Sequence, residues 1–278
     1  MDNASDLKII KTSFNMKFTL KSAYYILCAF GIDCLKAKSS IKGVIPFLKD
    51  FRQLKKQLKN SNDFSWGPVY PMLSDRYSSN GSMKGAYFHQ DLLVAQRIYE
   101  EKPVRHIDIG SRTDGLISHV AVFRKIEIFD IRRQESEVEN IIFRQANLMN
   151  LPENMIEVCD SISSLHAIEH FGLGRYSDPV DSIGHIKAIE NIYLMLKSKG
   201  RFYISLPIGR QRIEFNAHRV FSLSYLLALF ENKFQLDRFS YVNDKGFLLK
   251  NITLTKELIN NNCNCHLGCG IFELTKLV

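Results

Sequence analysis

The chain has 278 residues, 45% hydrophobic and 24% charged, an ordinary balance for a folded globular protein that excludes a largely disordered one. Its longest uncharged apolar runs, 22–32 and 220–230, have eleven residues each, short of the about 20 that a membrane-crossing helix needs. The formal net charge of +8 is an N-terminal property: residues 1–60 hold 12 Lys and Arg against 4 Asp, and the rest of the chain holds 25 of each sign.

The first 60 residues read as mostly helical. Lys36, Lys38, Lys42, Lys49, Arg52, Lys55, Lys56 and Lys59 lie among Ile41, Val44, Ile45, Phe47, Leu48, Phe51, Leu54 and Leu58, which predicts a helix with one apolar stripe and one cationic face. A solvated helix docked on the main domain is the favoured reading, because charge runs usually face water. A segment lying on an anionic membrane surface or a polyanionic substrate is the other. No nucleic-acid recognition motif accompanies the basic stretch, so no nucleic-acid partner is expected. Asp2 and Asp6, with no apolar stretch leading to a small-residue cleavage site, argue against a secretory signal. Six cysteines in a chain this long do not make a disulfide scaffold. The expected location is the cytoplasm, peripheral at the inner face of the membrane if the basic stretch meets lipid.

Residues 61–86 are rich in Ser, Asn, Gly and Pro and mark a boundary. It separates a basic, mostly helical extension and linker (1–80) from a main domain (81–278). Strands are then expected at 104–109, 125–129, 141–146, 161–165, 201–206, 234–242 and 270–277. Helices are expected at 116–123, 183–196 and 222–230. Strands alternating with helices predict an α/β domain: a Rossmann-like, doubly wound, mainly parallel sheet of about seven strands. Ligands bind beyond the carboxyl ends of such strands, and the unusual residues of this chain follow strands. The first is followed by Gly110, in His106-Ile-Asp108-Ile-Gly110-Ser111-Arg112-Thr113-Asp114-Gly115, where a glycine lets backbone approach a ligand. The second ends at Asp130, about 20 residues on, where a carboxylate suits a ribose diol.

Continued through Asn147-Leu148-Met-Asn-Leu-Pro152, Asp160-Ser-Ile-Ser-Ser-Leu165-His166-Ala-Ile-Glu169-His170 and Leu196-Lys-Ser-Lys-Gly200-Arg-Phe-Tyr-Ile-Ser-Leu-Pro207, this series resembles the class I S-adenosylmethionine-dependent methyltransferase superfamily over about residues 104–207. The resemblance implies S-adenosylmethionine as cofactor. It puts Gly110 under the methionine part, Asp130 on the ribose, Asn147 and Leu148 beside the adenine, and His166 toward the reacting methyl group, with Asp108, Ser111, Arg112, Ile131 and Leu165 close by. The usual acidic-x-Gly-x-Gly-x-Gly loop is reduced to one glycine, with Arg112 at a glycine position. Arg112 then either pairs with the cofactor carboxylate or fills the pocket. Phe88-His89-Gln-Asp91, 108–115, His166-Ala-Ile-Glu-His-Phe-Gly-Leu-Gly-Arg175-Tyr176 and Pro207-Ile-Gly-Arg210-Gln-Arg212-Ile-Glu-Phe-Asn-Ala-His218-Arg219-Val-Phe221 resemble a methyltransferase-like family of unknown function associated with bacterial surface-polysaccharide synthesis. That association implies a sugar hydroxyl as acceptor, on a glycan or a nucleotide-sugar precursor. The alternative is a non-catalytic or repurposed Rossmann-like module that binds a sugar nucleotide or a partner enzyme.

Methyl transfer to a hydroxyl needs a base, and histidine titrates in the right range. His166 and His170 are four residues apart, on one face if a helix begins there; Glu169 can orient one imidazole, and His218 follows the fifth strand. His89 and Asp91 are expected to close over the cleft. Arg175, Tyr176, Arg210, Arg212 and Arg219 are expected at the substrate, the arginines gripping phosphates. His166-x-x-Glu169-His170 also matches a zinc-peptidase motif that belongs inside a helix, whereas here it meets Phe171-Gly172 at once. A divalent ion on His166, His170 or Asp178 is a further candidate. Cys263, Cys265, His266 and Cys269 offer four soft zinc ligands, although structural sites usually bring two separate pairs together; packed or free thiols are the expectation there.

Overall fold

The computed structural model describes residues 20–60, 63–151 and 153–278; Asp2, Asp6, residues 1–19 of the basic stretch and Pro152 lie outside these. The chain divides into two compact units, Met1–Gly81 and Ser82–Val278. In the first, α1 (Leu20–Ala29) and α2 (Cys34–Gln57) meet at Asp33, whose carboxylate caps α2 by accepting the N–H groups of Leu35 and Lys36 at 3.0 Å each. Pro46 sits inside α2 and offers no N–H to the carbonyl four residues back. That carbonyl, of Lys42, accepts the Tyr77 hydroxyl instead, at 3.2 Å.

The second unit carries α3 (Ala86–Glu101), β1 (His106–Ile109), α4 (Ser118–Ala121), β2 (Ile126–Asp130), β3 (Ile141–Gln145), β4 (Cys159–Leu165), α5 (Gly184–Met195), β5 (Leu196–Ile208), β6 (Arg212–Glu214), β7 (His218–Val220), α6 (Leu223–Phe230), β8 (Phe234–Val242), β9 (Leu248–Leu249), α7 (Lys256–Asn260) and β10 (Gly268–Lys276). The main sheet has the order β3-β2-β1-β4-β5-β10-β8-β9. Strands β1 to β5 run parallel, and β10 is antiparallel to both of its neighbours. Seven long strands and one two-residue edge strand therefore form the mainly parallel sheet the alternation predicts. The chain winds outward from β1 to β3 and returns to β4 beside β1, so the crevice of the topological switch opens at the carboxyl ends of these strands.

Side chains alternate between the two faces. Ile107, Ile109, Ile162, Phe202, Ile204, Leu206 and Phe272 pack against α5 (Ala188, Ile189, Ile192, Met195) and α6 (Leu223, Leu226, Phe230). Ile126, Ile128, Leu165, Tyr203 and Ile271 pack against α3 (Leu93, Val94, Ala95, Ile98) and the helix after β1 (Leu116, Ile117, Val120). The α3 face also holds a buried polar seam. His106 Nδ1 and Nε2 meet the Ser161 and Ser163 hydroxyls at 2.8 and 3.0 Å, and burial drives the His106 pKa down to about 3, so the ring is neutral.

Several elements differ from the sequence expectation, three of them along the path to the site. α3 was not expected, although Leu93, Val94 and Ile98 carry helical apolar spacing. The helix expected at 116–123 is shortened to α4 and entered through a wide turn, Thr113–Ile117, in which Gly115 leaves helical geometry; a Cβ there would strike the Asp91 carboxylate. β5 runs through Pro207 rather than stopping at Leu206. The Pro207 carbonyl faces the β4 side, where it accepts the Phe221 N–H at 2.9 Å. β4 pairs only as far as Ser205, so no ladder partner awaits the missing proline N–H.

Candidate active site

Gly110 turns the chain out of β1 with φ +69°, a left-handed conformation that glycine adopts without strain. Its N–H donates to the Phe129 carbonyl at 3.0 Å. Beneath it, buried Asp108 accepts the Ser111 N–H at 3.0 Å, the Ser111 hydroxyl at 2.7 Å and the Ser163 hydroxyl. Burial pushes the Asp108 carboxyl up to about 7 against the pull of these hydrogen bonds. Asp108 and Ser111 thus hold the loop's shape from below.

Beyond the loop lies a cavity of about 310 Å³, lined among others by Gly110, Asp130, Ile131, Asn147, Leu148 and His170. Phe129, Ala146, Ala167 and Phe171 add apolar wall. Asn147 Oδ1 accepts the Met149 N–H at 3.0 Å, which tightens the turn after β3. Arg112 also lines this cavity, but its guanidinium is committed elsewhere: it donates to both oxygens of Asp114 at 2.9 and 2.6 Å and sits 5.0 Å from the Tyr87 ring centre. The hollow is not plugged by Arg112. The carboxylate of Asp130 is engaged by Arg132, which donates from Nε at 3.0 Å and from Nη2 at 2.6 Å and stacks 4.5 Å from the Tyr176 ring centre. Sequence reasoning missed Arg132; the Asp-x-Arg spacing was its only signal.

The segment after β4 is a loop with one tight turn, Ile168–His170, not the start of a helix. His166 and His170 are therefore not stacked on a helix face. Glu169 joins them instead: His166 Nδ1 lies 2.8 Å and His170 Nε2 3.7 Å from Glu169 Oε1. Burial alone would lower the His166 pKa, but the Cys269 thiol group and the Glu169 carboxylate beside it hold it well above the ordinary value. His170 is lowered, chiefly by burial and further by Arg175, with Glu169 opposing. The Nδ1–H of His170 donates to the Ala217 carbonyl at 2.7 Å, which Arg175 also reaches at 2.8 Å. This pins the tautomer and leaves the Nε2 lone pair available. A second cavity, of about 470 Å³, lies on the far side of these residues and is lined by Glu169, His218, Asp244 and Cys269 among others. Tyr87, His166, His170 and Arg175 line both cavities. β6 and β7, an unexpected two-stranded hairpin, carry His218 there; its Nε2 is 3.4 Å from Glu214 Oε2.

Several expected residues are not brought to either cavity. Leu165 is buried against the α3 face, its N–H donating to the Ser111 hydroxyl at 2.9 Å. Ser111 faces only a separate neighbouring hollow, with Arg133 and Gln134. From α3 it is Tyr87 that reaches the site; His89 packs edge-on against Phe88, and Asp91 is buried over Gly115. Arg219 is buried and donates to the carbonyls of Glu169, Phe171, Asp181 and Ser182, so it clamps the histidine loop rather than a phosphate. Arg212 pairs with Glu214 and lies outside both cavities, as does Arg210.

Among the described residues no group of three or more His, Cys, Asp or Glu converges as metal ligands. Asp178, a candidate, spends both oxygens on the N–H groups of Gly172, Gly174 and Tyr176. Cys263 and Cys265 pack into one face of the sheet and Cys269 into the other, with His266 exposed. Burial raises the Cys263 and Cys265 thiols to about 11 and 12.

The strand order, with its antiparallel β10 between β5 and β8, and the cleft at the carboxyl ends of β1 to β4 define a Rossmann-like, mainly parallel α/β fold. The family described as "Caenorhabditis protein of unknown function, DUF268" matches residues 120–267, and the chain belongs to that family. No curated protein matches the chain. Among solved structures it is similar to the 1,6-didemethyltoxoflavin N1-methyltransferase of Burkholderia thailandensis, at 12% identity over 70% of this chain and 80% of that one, with a TM-score of 0.47. The N-methyltransferase NodS of Bradyrhizobium japonicum gives 11% identity, 81% and 97% coverage and a TM-score of 0.46. The [4+2]-cyclase SpnF gives 15%, 86%, 97% and 0.48.

Proposed function

We propose that the protein is an S-adenosylmethionine-dependent O-methyltransferase whose acceptor is a sugar hydroxyl of a surface glycan or of its nucleotide- or lipid-activated precursor. One observation carries the reading: two cavities meet at a wall made of Tyr87, His166, His170 and Arg175. A donor on one side and an acceptor on the other would be held against each other, which is most of what an in-line displacement requires. The donor side fits the cofactor's parts, with a carboxylate at Asp130 for the ribose, apolar Leu148 and Phe129 for the adenine, and a side-chain-free turn at Gly110. When bound, S-adenosylmethionine supplies a methyl group on a positive sulfur.

His170 is the base of this reading. Its Nδ1–H is fixed on Ala217, so Nε2 receives the acceptor hydroxyl proton, and Glu169 at 3.7 Å balances the resulting imidazolium. His166 keeps Glu169 in place through its 2.8 Å contact. Arg175, open to both cavities, provides a positive charge for a phosphate of an activated sugar. A cytoplasmic location belongs to the same reading, consistent with six unpaired cysteines. A second reading, a non-catalytic module that binds a sugar nucleotide or a partner enzyme, draws on the Arg132 guanidinium laid across Asp130. Calorimetric titration with S-adenosylhomocysteine decides between them. Micromolar binding, with labelled methyl transferred to a glycan acceptor by the wild type but not by His170→Gln, supports the enzyme; a folded protein that binds no S-adenosylhomocysteine rejects it.

A further inference from the structure

None of the residues named in that chemistry belongs to the basic helical unit, whose α2 has an unusual surface. One face is covered from within the unit: Phe51 packs edge-on against Trp66 at 5.3 Å between ring centres, Asp50 pairs with Arg76, and Gly43 lies so close to Leu73 that a Cβ would collide with its carbonyl. The opposite face carries Ile41, Val44, Ile45 and Leu48 at helical spacing, and Ile41 and Ile45 are 74% and 78% exposed. Exposed Lys38, Lys49 and Lys56 run along one edge of this stripe on the helical projection, and exposed Arg52 projects between Ile41 and Ile45. α1 adds exposed Tyr25 and Ile26, and Phe30 just beyond it is 80% exposed. No helix among the described residues is long and apolar enough to cross a membrane.

We propose that this unit binds an anionic lipid surface, with the Ile41–Ile45–Leu48 stripe of α2 entering the headgroup–acyl boundary and the adjoining Lys and Arg meeting acidic headgroups. The argument is complementarity on two counts. Cations beside an apolar stripe match a surface that is charged at the top and oily beneath, and long basic side chains reach up to the charge while their stems stay in the oil. A soluble polyanion would match the cations and leave the isoleucines in water. α2 spans 24 residues, enough for several turns to lie flat on the bilayer.

The test is co-sedimentation of the full chain with phosphatidylcholine vesicles, with and without phosphatidylserine. The expected result is binding that needs phosphatidylserine and weakens with salt. The Ile41→Glu/Ile45→Glu double variant should bind about ten-fold less or worse, and Lys49→Glu/Arg52→Glu should lose salt-sensitive binding. All four positions are exposed, and circular dichroism with S-adenosylhomocysteine titration reports whether each variant is folded. No binding to acidic vesicles at low salt overturns the proposal. So does undiminished binding by the isoleucine variant, or equal binding of the wild type and that variant to heparin and to vesicles, either of which marks a simple polyanion site. None of these outcomes bears on methyl transfer.

Discussion

Arg132→Ala is expected to tighten the binding of S-adenosylhomocysteine. In the free protein both oxygens of Asp130 are taken by the Arg132 guanidinium, with the arginine side chain half exposed and the carboxylate largely buried. If a ribose diol uses Asp130, it must first displace this pair. A bidentate but partly exposed ion pair contributes up to about 1 kcal/mol, and at about 1.4 kcal/mol per factor of ten its removal improves affinity about two- to five-fold. Asp130→Ala acts in the opposite direction. Losing a charged acceptor for the ribose costs about 1.5–3 kcal/mol, or about 10- to 150-fold. Calorimetry at low and high salt measures both, and the gain in Arg132→Ala should shrink as salt screens the pair. Weaker binding by Arg132→Ala would mean that the guanidinium itself holds the ligand, and an unchanged affinity in Asp130→Ala would mean that the ribose lies elsewhere; either result refutes the assignment.

His170→Gln should lower kcat by about 10²- to 10⁴-fold, the usual worth of a positioned base, while S-adenosylhomocysteine affinity stays within about two-fold because Gly110, Asp130 and Leu148, which hold the cofactor in this reading, are unchanged. In the wild type the base works when neutral and its pKa is depressed, so kcat/KM should rise with pH through a value below 6.5 and level off before neutrality; the glutamine variant should show no such acid limb. Asp108 and His106 oppose each other in stability. The Asp108 carboxyl is raised to about 7 when folded, so its contribution is present below about pH 4 and is lost as pH rises toward 7. His106 is depressed to about 3, so its contribution is present above about 6.5 and is lost on acidification. Asp108→Asn removes the first and leaves the second, and thermal melts between pH 4 and 7 should show a steeper loss of stability on acidification than in the wild type. Gly172 has φ +76°, and a Cβ there would collide with the Asp181 carbonyl oxygen; Gly172→Ala should cost about 2–4 kcal/mol in urea denaturation, combining left-handed strain with overpacking.

The alternation of apolar strands and amphipathic helices is a local signal with a fixed period, and it sufficed for the α/β class, for the seven long strands to within a few residues, and for a cleft after β1, β2 and β4. Gly110 and Asp130 were readable because a strand end followed by a turn places them there whatever the rest of the chain does. Contacts between distant segments have no such period. Nothing local to Arg219 distinguishes a clamp on four carbonyls of the histidine loop from a phosphate ligand, and only the packing of β7 beside that loop decides it. The zinc-like run 263–269 looks like one cluster in sequence, but strand pleating sends Cys269 to the face opposite Cys263 and Cys265. Tyr87 enters the site because α3 lies against the sheet, and Arg132 closes on Asp130 because the turn after β2 folds its side chain back. Periodicity along the chain therefore determined the scaffold, while the three-dimensional course of α3, of the β6–β7 hairpin and of the loop after β4 decided which side chains share a cavity, because that depends on which segments meet and not on the spacing within any one of them.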